Sequence, residues 1–87
     1  FNISHLSLNL HPTTNILNIE LNLLTTTQVG VSMVDLTGRE VKEISNSELS
    51  SGINQMQVET FDLPNGIYFI RVNSNGKTLQ YKVSVKH

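Results

Sequence analysis

The chain has 87 residues, six basic against seven acidic for a formal charge of −1, and neither cysteine nor tryptophan. That length leaves room for one small domain and none for a catalytic domain with a regulatory partner. Near-neutral charge without Lys/Arg clusters argues against nucleic acid or an anionic membrane surface as partner, and the missing thiols exclude disulfides, thiolate catalysis and cysteinyl zinc sites.

An apolar share of 38% is enough for a folded core. Alanine, the best helix former, is absent, while Val, Ile and Thr fill 23 positions; the bias favours extended, pleated backbone. Phe1 to His5 lacks the charged start and apolar stretch of a signal peptide. It is expected to be a linker remnant, with the domain running from Leu6 to His87.

Alternation of period two then sets in and recurs in seven blocks. The first places Leu6, Leu8 and Leu10 against Ser7 and Asn9 and ends before Pro12, which cannot donate to a ladder. The second alternates Leu17, Ile19, Leu21 and Leu23 with Asn18, Glu20 and Asn22. The third, from about Gln28 to Leu36, carries Val29, Val31 and Met33 on one face, then changes phase at Val34 and Leu36, as at a bulge or a strand end buried on both sides. Asp35 to Arg39 reads as a hairpin turn with Gly38 at a position needing positive φ.

The fourth block, about Glu40 to Ser45, is the least regular strand, because Val41 and Ile44 are out of phase, and a helical turn is its alternative. Asn46 to Gly52, polar apart from Leu49, is expected to be the longest and most flexible loop. Met56 and Val58 mark the fifth strand, and Leu63-Pro64-Asn65-Gly66 a turn into the sixth, Ile67 to Val72, apolar on both faces and therefore central. Asn75-Gly76 suits a type I′ turn onto the seventh, where Leu79, Tyr81, Val83 and Val85 alternate with Gln80, Lys82, Ser84 and Lys86. Seven short strands at this spacing predict an all-β fold, a seven-stranded antiparallel immunoglobulin-like β-sandwich.

Residues that carry chemistry are sparse. His5, His11 and His87 have no carboxylate or second His at metal or relay spacing and read as surface residues. Asp35 and Asp62 stand beside turns, where a short carboxylate caps backbone amides. The other carboxylates, Glu20, Glu40, Glu43, Glu48 and Glu59, have no aromatic setting for a sugar cleft, and there is no Gly-x-Ser-x-Gly elbow or glycine-rich phosphate loop. Asn2-Ile3-Ser4 is a glycosylation sequon of a length that arises by chance in an Asn-rich chain. No catalytic, metal or cofactor-binding residue is assigned, and the chain is expected not to be an enzyme. The one suggestive charge arrangement is Lys82 and Lys86 on the outward face of the last strand, with Lys77 near its start. Such a row either blocks edge-to-edge aggregation or is read by a partner.

Four motifs follow one another in a recognisable order: Asn9-Leu10-His11-Pro12-Thr13-Thr14-Asn15-Ile16-Leu17-Asn18-Ile19, then Asp35-Leu36-Thr37-Gly38-Arg39-Glu40-Val41, then Leu63-Pro64-Asn65-Gly66-Ile67-Tyr68, then Lys82-Val83-Ser84-Val85-Lys86. This order resembles the C-terminal sorting domain, type A, of the type IX (Por) secretion system, carried by exported proteins of Bacteroidetes-type bacteria. The family opens with Tyr-Pro-Asn-Pro; here Asn9, Leu10 and His11 replace its first three residues and Pro12 is kept.

The resemblance implies a secretion signal domain recognised by the type IX translocon, which exports the attached cargo protein across the outer membrane. A sortase-like peptidase then cleaves in the linker, and the cargo is attached to the cell surface or released. The parent would pass through the periplasm on the way. On this reading Lys82, Lys86, Lys77 and Arg39 are the expected partner contacts, whereas Pro12, Asp35, Gly38, Gly66 and Tyr68 hold the structural motifs. No cofactor, small-molecule substrate or nucleic acid is expected, and self-association through strand edges is conceivable. The alternative is an immunoglobulin- or fibronectin-like accessory module that spaces domains or binds a polysaccharide.

Overall fold

Alternation becomes burial most plainly at Leu17, Ile19, Leu21 and Leu23, which are all buried while the intervening Asn18, Glu20 and Asn22 stay half exposed. A strand with one apolar face must lay it against another layer. The computed structural model describes residues 3–11 and 15–87. Its strands are β1 (Ile3–His11), β2 (Ile16–Leu23), β3 (Thr27–Val34), β4 (Glu40–Leu49), β5 (Gly52–Glu59), β6 (Gly66–Ser74) and β7 (Lys77–Val85), with no helix among the described residues. They form two antiparallel sheets, β1-β2-β5 and β4-β3-β6-β7. The fold is the expected immunoglobulin-like sandwich.

The core lies between the sheets. The three-stranded sheet supplies Leu17, Ile19, Leu21 and Leu23; the four-stranded sheet supplies Val29, Val31, Met33, Tyr68, Ile70, Val72, Val83 and Val85. Hairpins give the local pairs, and two long-range pairings join them, Ile19 opposite Met56 between β2 and β5 and Met33 opposite Ile70 between β3 and β6. β6 is central, flanked by β3 and β7, and the Asn75-Gly76 turn has φ of 51° and 75°, as a type I′ turn requires. The phase change in β3 is burial on both faces: Val34 is 1% exposed yet stands opposite Phe69 on the outward side, while Leu36 is exposed in the turn.

The fourth block is a strand, as its place among the seven predicts, but it continues past Ser45 to Leu49, so the long loop expected from Asn46 to Gly52 is corrected to Ser50 and Ser51 alone. Register shifts skip Ile44 and Val41 opposite β3. Each bulge inserts a residue and resets the alternation, so both side chains reach the core despite their spacing. Asn46, Ser47 and Glu48 look like loop because they lie on an edge strand, where backbone pairing to β3 rather than side-chain burial holds the chain. A third irregularity, at Ser4, masks the start of β1, which takes in Ile3, Ser4 and His5 ahead of the expected boundary at Leu6. Pro12 lies outside the described residues.

Ile70 is fully buried at the centre, whereas Ile53 is 65% exposed. Truncating Ile70 therefore leaves a cavity and truncating Ile53 leaves none. Ile70→Ala is expected to lower the unfolding free energy by ~2–5 kcal/mol, against ~0.5 kcal/mol or less for Ile53→Ala, both measured by urea denaturation.

Candidate recognition surface

Three of the sequence motifs are turns, and each is explained by its own hydrogen bonds. Asp35 closes the β3–β4 turn: its Oδ1 accepts from the Thr37 amide (2.9 Å), the Thr37 hydroxyl (2.6 Å) and the Arg39 amide (3.0 Å). The Asp35 amide donates to the Arg39 carbonyl at 2.9 Å, and Gly38, at φ 90°, donates to the Asp35 carbonyl at 3.0 Å. A side chain at Gly38 would be strained by that backbone conformation, although the space around it is open. Hydrogen bonding to Thr37 holds the Asp35 carboxyl below its ordinary value of 3.8, with the amides and the Arg39 charge acting the same way.

The Leu63-x-x-Gly66-x-Tyr68 motif makes the corner from the β5–β6 connection into β6. Leu63 is buried, and the Tyr68 ring packs in the core while its hydroxyl donates to the Pro64 carbonyl at 2.7 Å. This backward bond to a residue just upstream is the tyrosine corner of immunoglobulin-like sandwiches. The Asp62 carboxylate accepts from Lys42 Nζ at 2.8 and 3.1 Å, which ties the connection to β4; this bond, with one from its own backbone amide, lowers its pKa.

The first motif joins them. Asn15 stands at φ 55°, and its carbonyl accepts from the Thr60 amide at 2.8 Å and the Thr60 hydroxyl at 3.0 Å. His87, read as an ordinary surface residue, is exposed but fixed. Its amide donates to Asn65 Oδ1 at 2.9 Å, Nε2 lies 2.7 Å from the Leu63 carbonyl and Nδ1 lies 3.0 Å from Asn15 Oδ1. Segments from both ends and the middle of the sequence thus meet at one pole of the sandwich. At the opposite pole, Ser51 donates to Thr26 at 3.2 Å, and β1 enters there, with Ile3 opposite Leu23.

Of the expected contacts, Lys82 is exposed on the outward side of the edge strand β7, and Lys86 is exposed one residue past the end of that strand. Neither makes an ion pair or hydrogen bond among the described residues. Arg39 belongs to the turn at the same pole, with its side chain 80% exposed and Nε 3.4 Å from Asp35. Lys77 is placed elsewhere: it pairs with Ser74 beside the far hairpin, ~17 Å along the strand from Lys82, and the alternation turns it to the other face. Arg71, which the sequence reading passed over, lies on the outward face next to this row. With the Gln80 amide turned to satisfy it, the Gln80 oxygen accepts from Arg71 Nε at 3.2 Å and Nη2 at 3.3 Å. Only the register across β6 and β7 could have revealed it.

Among the described residues no three His, Cys, Asp or Glu side chains gather as metal ligands would. The family model for the secretion system C-terminal sorting domain matches residues 11–86. The chain belongs to that family. It is a type IX secretion C-terminal sorting domain, a signal for export of the protein that carries it. No curated protein matches it. The turns that identify a sorting domain in sequence are the parts that build its motif-bearing pole.

Removing the Tyr68 hydroxyl leaves the Pro64 carbonyl without its partner, and Tyr68→Phe is expected to cost ~1 kcal/mol on denaturation, the net worth of one such bond. Asp35 and Asp62 both have folded pKa values below 3.8. Their stabilisation is therefore present above pH 3.8 and lost as pH falls through the lower folded values. Urea midpoints are expected to fall below about pH 4, and less steeply in Asp35→Asn than in the unaltered chain.

Proposed function

We propose that the type IX translocon reads the motif-bearing pole together with the adjoining β7 edge, and that Lys82 and Lys86 are its charged contacts, with Arg39 beside them. The observation that carries this reading is the convergence of motif segments, far apart in sequence, on one pole beside two unpaired lysines. Export as a folded unit suits such a signal, because an epitope assembled from Asn15, Asp35, Leu63, Tyr68 and His87 exists only after folding. The parent protein would accordingly fold in the periplasm before it is recognised.

The polarity of the sandwich supports a division of labour. β1 begins with Ile3 at the opposite pole, so a cargo protein attached ahead of it and the translocon would approach from different ends. A sortase-like peptidase acting ahead of β1 would then meet the linker away from the recognition surface, and surface attachment or release of the cargo follows that cut. The domain itself performs no chemistry in this scheme and needs no cofactor. Lys77, at the far hairpin, contributes little.

The test fuses these residues to the C-terminus of a fluorescent reporter bearing a signal peptide, in a host with a type IX system and in a translocon-deficient strain. Reporter is expected at the surface or in the medium of the competent strain alone. Lys82→Ala with Lys86→Ala is expected to cut export severalfold while circular dichroism shows an unchanged fold, and Lys77→Ala to leave export unaltered. Undiminished export of the double variant would remove the proposed contacts and leave the sorting signal standing.

A further inference from the structure

The outward face of the four-stranded sheet carries charge that is split by strand. Register aligns Glu40, Val34, Phe69 and Lys82 in one row across β4, β3, β6 and β7, and Glu43, Ser32, Arg71 and Gln80 in the next. The acidic residues stand on one edge and the cations on or beside the other. Three strand spacings of ~4.8 Å put Glu40 and Lys82 ~14 Å apart, too far to pair within one molecule. None of Glu40, Glu43 and Lys82 makes an ion pair among the described residues.

Between the charged edges the face is apolar at one end and hollow at the other. Phe69 is half buried over Val34, and Ile67 is 38% exposed beside it. Gly30 lies in a depression of about 350 Å³ walled by Asn46, Asn73 and Glu43. A Cβ at Gly30 would meet nothing closer than Asn46 Oδ1 at 3.7 Å, in keeping with open space on the face.

We propose that this face is self-complementary and joins two copies of the chain in a two-fold dimer, face to face, with the axis running along the strands between β3 and β6. That rotation lays β4 over β7 of the second copy at the same level. Glu40 then meets Lys82 of the second copy, and the pair occurs twice. Val34 and Phe69 cover one another, Arg71 of the second copy comes over Ser32 within reach of Glu43, and Asn73 of the second copy faces the Gly30 hollow. A two-fold axis across the strands would set β4 on β4, with Glu40 and Glu43 against like charges, so electrostatics selects the first arrangement. The interface is isologous and closes at two copies, and two twisted sheets with strands nearly aligned pack in a common geometry.

Edge-to-edge association competes poorly. The bulges at Val41 and Ile44 break the free edge of β4. Antiparallel pairing of β7 with itself about Ser84 would set Lys82 against Lys86. A face of four strands, each eight to ten residues long, covers roughly 500–600 Å² in projection. Two such faces fall at the low end of specific interfaces, which is the range of weak, reversible complexes. Because Lys82 is engaged in the dimer, dimerisation and the translocon contact exclude each other, although the dimer stands or falls independently of the sorting role.

Sedimentation equilibrium of the 87-residue chain tests it. A monomer–dimer equilibrium that weakens as salt rises is expected. Glu40→Lys and Lys82→Glu should each weaken the dimer about tenfold or more, with circular dichroism confirming that both fold. An equimolar mixture of the two variants should dimerise again, since each then offers the other a complementary edge. A chain that stays monomeric at millimolar concentration, single variants that dimerise as the unaltered chain does, or a mixture that stays monomeric would overturn the proposal.

Discussion

The sandwich depends on two pairings between strands distant in sequence, β2 with β5 and β3 with β6. Three hairpins form from local turns, and each alone would be a marginal two-stranded ribbon. The β3–β6 ladder merges two of them into a four-stranded sheet, setting Val31 opposite Val72 and Met33 opposite Ile70 on the core side. β5 then closes on β2 and brings the third hairpin's leucines over that surface. With no disulfide to constrain the unfolded chain, this contact between two one-sided sheets supplies the driving force. The same pairings fix what each outward face displays, because a slip of one residue would exchange core and surface on the whole strand.

The turns at the motif-bearing pole turn that pairing into a defined surface. Asp35 satisfies three donors with one oxygen, and Tyr68 anchors the Pro64 carbonyl while its ring stays in the core. Asn15, Thr60, Leu63 and His87 then link the β1–β2 turn, the β5–β6 connection and the residues after β7. These bonds join backbone groups that would otherwise compete for water at the open end of a sandwich. A small set of turn residues therefore does two things: it completes the fold and it gives the sorting domain a rigid end.

Most of the architecture was legible because one apolar face per strand leaves a period of two in the sequence. β2 and β7 show it without interruption, and Asn75-Gly76 and Asp35 to Arg39 announce their hairpins by residues that tolerate or stabilise unusual backbone. β4 was legible only over its first part, Glu40 to Ser45, and there irregularly, for a physical reason. Its two bulges shift the phase at Val41 and Ile44, and its remaining polar residues lie on an edge where backbone pairing alone holds them. The proposed recognition surface was legible only in part. Lys82 alternates with Tyr81 and Val83, so its outward face could be read directly, and Lys86 follows just past the end of the strand. The separation of Lys77, the row that places Arg71 beside Lys82, and the docking of His87 all follow from register and turn geometry, which no single strand reveals.

An export signal must be distinguishable from the many folded domains it accompanies, and on the proposed reading the distinguishing features are few and spatially concentrated. Lys82 on the edge strand, with Lys86 just past its end, already serves the monomer by opposing strand-to-strand aggregation, a hazard for any sandwich with open edges. Neither forms an ion pair among the described residues, which keeps that protection and leaves two positive charges beside a rigid pole. Lys42, by contrast, is paired with Asp62 and ties β4 to the β5–β6 connection. The two classes of lysine differ in what surrounds them rather than in sequence context: the paired one supports the fold, and the unpaired ones remain open to another molecule. That division lets a domain of near-zero net charge present a locally basic edge without the non-specific attraction that a generally basic surface would bring.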